Sequence, residues 1–124
     1  MTDAVNNNND KTTNVSGDKN NLPYQNGSID FISGNDSTEE IGLRSFRGIG
    51  VALPPITALV GATHLQLMCS DRSGGQFVQV GDDIALHATE WTPFMTTDVA
   101  FWNVAKFNVV GTLTGSGTMP YNRT

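Results

Sequence analysis

The chain has one cysteine, two histidines and two tryptophans among 124 residues. A lone thiol, Cys69, excludes an internal disulfide and a zinc-finger ligand set. Its setting in Leu65-Gln66-Leu67-Met68-Cys69 makes it a small buried hydrophobe. No charged segment followed by an apolar one stands at the N-terminus, so no secretory signal is expected and synthesis in a cytoplasm is. The longest apolar stretch, Ile49 to Ala62, is broken by Pro54-Pro55 and is too short to span a bilayer. A basic stripe of the kind that neutralises phosphates is also missing. Neither nucleic acid nor membrane is therefore expected as a partner.

Apolar residues make up 38% of the chain, below the usual share for a globular domain, and the shortfall is local. Residues 1–40 hold Val5, Val15, Leu22, Ile29, Ile32, Tyr24 and Phe31 in a setting of Asn, Asp, Gly, Ser and Thr. Asn6 to Asn9 is a homopolymer, and nine of the twelve Asn precede residue 36. Such a composition buries too little apolar surface to offset chain entropy. Residues 1–40 therefore read as a polar arm, disordered when free, and residues 41–124 as a β-rich globular domain. Charge divides the same way: seven acidic residues against Lys11 and Lys19 place the entire net charge of −5 before residue 41. Two apolar islands in the arm, Leu22 with Tyr24 and Ile29 with Phe31 and Ile32, suit docking on a partner, the second as a strand added to a neighbour's sheet edge.

In the domain, Ile49 to Leu53 reads as a strand ended by Pro54-Pro55, which places it at an edge or strand end. Ala62 to Ser70 alternates, with Leu65, Leu67 and Cys69 on one face and His64, Gln66 and Met68 on the other. Gln76 to Val80 and Ile84 to Ala88 read as strands joined by a hairpin turn at Gly81-Asp82-Asp83. Trp91 to Phe94 reads as a loop with buried aromatics. A strand is expected from Phe107 onward; residues 98–106 suit either a short capped helix or a strand. Thr114 to Thr124 is a Gly-rich polar end. Turn signals every 8–12 residues predict a mainly β fold, a small sandwich or barrel.

Signatures of catalysis are absent. Gly48-Ile49-Gly50 lacks the third glycine of a dinucleotide loop, and Pro54-Pro55 stands where its helix would begin. No Gly-x-Ser-x-Gly elbow occurs. His64 and His87, with Asp82 or Asp83, are the groups open to metal binding or acid–base work. Each histidine alternates with apolar residues, the pattern of a half-exposed strand residue. Adjacent Asp82 and Asp83 point to opposite faces in a strand and suit a turn better than a shared proton. No catalytic, cofactor-binding or metal-binding residue is therefore expected. Trp91, Phe94, Phe101 and Trp102 cluster in sequence; core filling is the reading for most of them, with Trp91 the one to be exposed.

Residues 49–113 resemble the capsid decoration, or cement, proteins of tailed phages. The resemblance lies in Gly50-Val51-Ala52-Leu53, Leu65-Gln66-Leu67, Gly75-Gln76-Phe77, Asp82-Asp83-Ile84 and a polar arm ahead of a small β domain. It implies a non-enzymatic virion protein at capsid subunit junctions, often a trimer, whose arm adds to the contact. It transfers no site residue. The expected partners are capsid or other virion proteins and further copies of the chain. The alternative is a carbohydrate- or receptor-binding module built on Trp91.

Overall fold

The computed structural model describes residues 25–44 and 46–124, and these are mainly β. Nine strands follow in chain order: β1 (Asn26–Phe31), β2 (Ile41–Gly42), β3 (Ile49–Leu53), β4 (Ala62–Ser70), β5 (Val78–Gln79), β6 (Ile84–Ala85), β7 (Thr92–Thr96), β8 (Val104–Gly111) and β9 (Gly117–Arg123). They form two antiparallel sheets, ordered β1-β9-β3-β7 and β2-β8-β4-β5, with β6 also on β4. Alternate residues point to opposite faces of a strand. Ile29 and Phe31 of β1, Met119 of β9 and Ile49, Val51 and Leu53 of β3 thus share one core cluster with Leu65, Leu67 and Cys69 of β4 and Ala105 and Phe107 of β8. The result is a small sandwich.

Two boundaries drawn from composition are overturned. Residues 26–31 are not part of a partner-seeking arm: β1 pairs with β9 of the same chain along its whole length, from Asn26↔Asn122 to Phe31↔Gly117. Ile29 and Phe31, expected to face a partner, are 3% and 2% exposed. The chain next runs along β8, where the Thr38 N–H donates to the Phe107 carbonyl at 3.0 Å and the Phe107 N–H to Thr38 Oγ1 at 3.1 Å. Residues 25–40 thus belong to the sandwich. Residues 25–124 then carry nine acidic and five basic side chains, so the folded portion has a net charge of −4 rather than zero.

At the other end, Thr114–Thr124 is not a plain polar tail. Its β9 lies between β1 and β3, with Met119 turned into the core. The Arg123 N–H donates to the Gln25 carbonyl (2.8 Å) and the Thr124 N–H to the Gly48 carbonyl (3.0 Å). Because antiparallel pairs alternate, odd residues of β9 direct their backbone groups to β1 and even ones to β3. Pro120 is even and has no N–H, and the β3–β9 ladder stops one pair short of it, at Val51↔Tyr121. A proline is thereby tolerated inside the sheet. Gly27 faces Tyr121 across the ladder, where a Cβ would come within 2.6 Å of the ring carbon Cζ, so the glycine makes room for the aromatic ring.

Gly81-Asp82-Asp83 does not close a hairpin. β5 and β6 both pair with β4, at Met68↔Gln79 and Cys69↔Val78, then at His64↔Ala85 and Leu65↔Ile84. Residues 80–83 oppose only Gln66 and Leu67, so one edge strand runs along β4 with a two-residue bulge. Asp83 clamps it: its carboxylate accepts from Gln79 Nε2 at 2.8 Å and from Gln66 Nε2 at 3.1 Å. These bonds hold the Asp83 carboxyl below its usual range. Residues 98–101 form a turn rather than a helix, and β8 begins at Val104, before Phe107.

Candidate functional site

β7 is an edge strand, and its pattern is inverted. Thr92, Phe94 and Thr96 are half-buried, whereas Pro93 and Met95 face solvent. Trp91, one residue before the strand and in phase with them, is 52% exposed. By the alternation that fixes β9, β3 turns the backbone groups of its odd residues to β7, paired as Ile49↔Thr96, Val51↔Phe94 and Leu53↔Thr92. Pro93 and Met95 therefore direct their main-chain groups to the open edge. Pro93 has no N–H, so this edge lacks a donor at its centre and is a poor template for another strand.

What β7 offers is a face. Beside it on β3 stand Gly50 and Ala52, and beyond them on β9 Pro120 and Asn122, all pointing outward. The small β3 residues form the floor of a groove of about 820 Å³, with Pro93 and Met95 along one wall and Pro120 and Asn122 along the other. A Cβ at Gly50 would sit 3.2 Å from Met95 Cγ, so the glycine leaves the Met95 side chain room over the floor. Thr97 and Thr124 close the Ile49 end; Ala52, Pro93 and Pro120 make the other, toward Trp91.

After β7 the chain turns through residues 97–101, closed by the Ala100 N–H donating to the Thr97 carbonyl at 3.1 Å. Val99 is buried by this turn while Phe101 is thrown outward, 84% exposed, edge-on to Trp102 at 5.3 Å between centroids. The core-filling role expected for Phe101 is thus corrected. Trp102 and Phe94 pack partly against the core.

Of the partner-contact residues read from sequence, Trp91 is exposed just ahead of β7, and Ile32, 53% exposed, follows β1. Ile29 and Phe31 are core, so they offer no contact surface. Leu22 and Tyr24 lie outside the described residues. Phe101 and Met95 were missed; the signal for Met95 was its phase with Trp91 and Pro93, masked because the proline suggested a loop.

The candidate polar groups serve the fold. His87 Nδ1 accepts from the Thr89 and Glu90 N–H groups at 3.1 and 3.0 Å, capping the turn ahead of β7. His64 Nδ1 lies 3.1 Å from Thr63 Oγ1. Asp83 is the bulge clamp. Among the described residues, no three His, Cys, Asp or Glu side chains are placed to hold a metal ion, and no helix is long and apolar enough to cross a membrane. Glu40 accepts from the Ser73 hydroxyl and, at 2.9 Å, from the Gly74 N–H; these bonds tie the 71–75 loop to the edge of β8 and lower the Glu40 pKa. Comparison with protein-family models, with curated proteins and with solved structures found no match.

Proposed function

We propose that this protein is a non-enzymatic structural accessory protein of a virus or phage particle, a cement or decoration protein that binds capsid subunits and further copies of itself. The supporting observation is the exposed apolar surface of residues 91–101. Met95, 80% exposed, lies in β7; Trp91, 52% exposed, stands one residue before it, and Phe101, 84% exposed, is in the turn that follows it. Large apolar side chains held in water along one edge of a small domain are places where a partner gains by burying them. Phe101 is the anchor: an aromatic ring on a tight turn, with little rotamer entropy to lose on entering a partner pocket. Because Ile29 and Phe31 are committed to the core, any share of docking taken by the N-terminal segment falls to Ile32 and to residues ahead of β1.

The test is to purify particles from the source of this protein on a density gradient and detect the chain in the particle fraction. Particles lacking it are then reloaded with wild type and with Phe101→Ala. Stoichiometric recovery in the particle band, with affinity about tenfold weaker for Phe101→Ala, is the expected result. Absence from particles together with no rebinding overturns the proposal.

A further inference from the structure

A strand at the rim of a sheet shows a row of unpaired N–H and C=O groups, and folded proteins usually blunt such rims. Among the described residues, three of the four rims of this sandwich are blunted. β7 has Pro93 near its centre, and the β5–β6 rim is broken by the bulge at residues 80–83. β2 has two residues, and its Gly42 carbonyl already accepts from Arg123 Nη1 at 2.7 Å. β1 has none of these devices. It runs for six residues without proline or lysine, in unbroken register with β9.

The β9 ladder fixes which groups of β1 are left open. The Arg123 N–H donates to the Gln25 carbonyl, so odd residues of β1 turn their backbone groups to β9. Asn26, Ser28 and Asp30 turn theirs the other way. Among the described residues no strand lies on that side. Main-chain donors and acceptors of three residues therefore line one straight edge, and the same three residues are exposed.

We infer that this edge pairs with β1 of a second copy of the chain, antiparallel about a two-fold axis at Ser28, joining two four-stranded sheets edge to edge. A second copy is selected because the edge complements itself. With the axis at Ser28, Ser28 faces Ser28 of the second copy and Asn26 faces its Asp30, each pair exchanging two main-chain bonds. Only this axis matches all three open residues of one copy with all three of the other. Asp30 Oδ1 accepts from Thr118 Oγ1 at 2.8 Å, which leaves Oδ2 to accept from the Asn26 amide across the axis. An axis at Asp30 would instead set two carboxylates face to face. Ile29 and Phe31 stay in their own core throughout. The contact is small and polar, so the dimer is weak. This deepens the self-association in the proposed function and rests on that reading for its use, while its geometry needs neither Phe101 nor a capsid.

The full chain is followed by sedimentation equilibrium from micromolar to millimolar concentration, with amide hydrogen exchange at both limits. A monomer–dimer equilibrium is expected. Protection at Asn26, Ser28 and Asp30 should rise with concentration, while Gly27 and Ile29, already bonded to β9, stay unchanged. Ser28→Pro deletes the central donor of each copy without touching the β9 ladder and should weaken the dimer about tenfold or more. Ser28→Lys sets like charges opposite each other across the axis and should also weaken it, which keeps the test open if the proline variant fails to unfold cooperatively. Asn26→Asp should weaken the dimer, and adding Asp30→Asn should restore it, because amide and carboxylate then exchange places. A monomer at every concentration, full affinity in folded Ser28 variants, or no recovery in the double variant overturns the inference. So does a Ser28 amide protected in the monomer, where another part of the chain covers the edge. The particle-docking test is read on Phe101→Ala and stands or falls separately.

Discussion

At the residue scale, the side chains that look most alike in sequence have opposite fates. Ile29, Phe31 and Ile32 form one apolar island, but the first two are core and the third is exposed. Phe31→Ala should therefore cost about 3–5 kcal/mol of stability in chemical denaturation, the range for a buried phenylalanine. A partner-facing side chain would cost within about 0.5 kcal/mol. Cys69 is the thiol that the sequence suggested, a buried hydrophobe, with burial pushing its pKa up to about 11. In native protein at pH 8 it should be almost wholly protonated and inert to a disulfide reagent, and should react fully once denaturant is added. Rapid labelling of folded protein would contradict this burial. The four aromatics of 91–102 were legible as a group but not individually. Exposure at Phe101 depends on a turn whose hydrogen bonds direct Val99 inward, which composition does not encode.

At the element scale, β4 was legible because its alternation is complete, and β9 was not. Gly117 to Arg123 contains a proline and a single large inward aliphatic, Met119, and nothing local marks it as an interior strand. It is held there by β1 on one side and β3 on the other, partners 88 to 74 residues away in sequence at Asp30↔Thr118 and Ile49↔Arg123. The edge elements depend on carboxylates instead. Asp83 holds the β5–β6 bulge and Glu40 the 71–75 loop, and bonds to both lower their pKa values. A carboxyl whose folded pKa is depressed adds stability above its unfolded pKa and loses it as pH falls through the folded value. Melting temperature should therefore drop as pH is lowered below about 4, the ordinary carboxylate range. A Glu40→Gln, Asp83→Asn double variant should show a shallower acid limb than wild type. Identical slopes would mean that the two clamps are not linked to folding.

At the scale of the whole molecule, the domain begins before residue 26 and not at residue 41. Deleting residues 1–40 removes β1, its Ile29 and Phe31, and the Thr38 bonds to β8. Each of those two side chains is worth about 2–5 kcal/mol, and a domain of this size has about 5–15 kcal/mol in total. The deletion variant should therefore lose its cooperative transition by circular dichroism; retention of the wild-type melting temperature would return β1 to the status of an arm. Sequence alone was enough for the mainly β class, for the inward face of β4 and the burial of Cys69, and for the exposure of Trp91. All of these follow from alternation or residue type within a few neighbours. Tertiary structure decided the rest: that a polar stretch at 26–31 is an edge strand, that a Gly-rich end is an interior one, and that Pro93 and Met95 share an outward face with Gly50 and Ala52. Those outcomes rest on pairings between residues far apart in the chain, and short-range pattern carries no information about which distant strand will supply the missing hydrogen bonds.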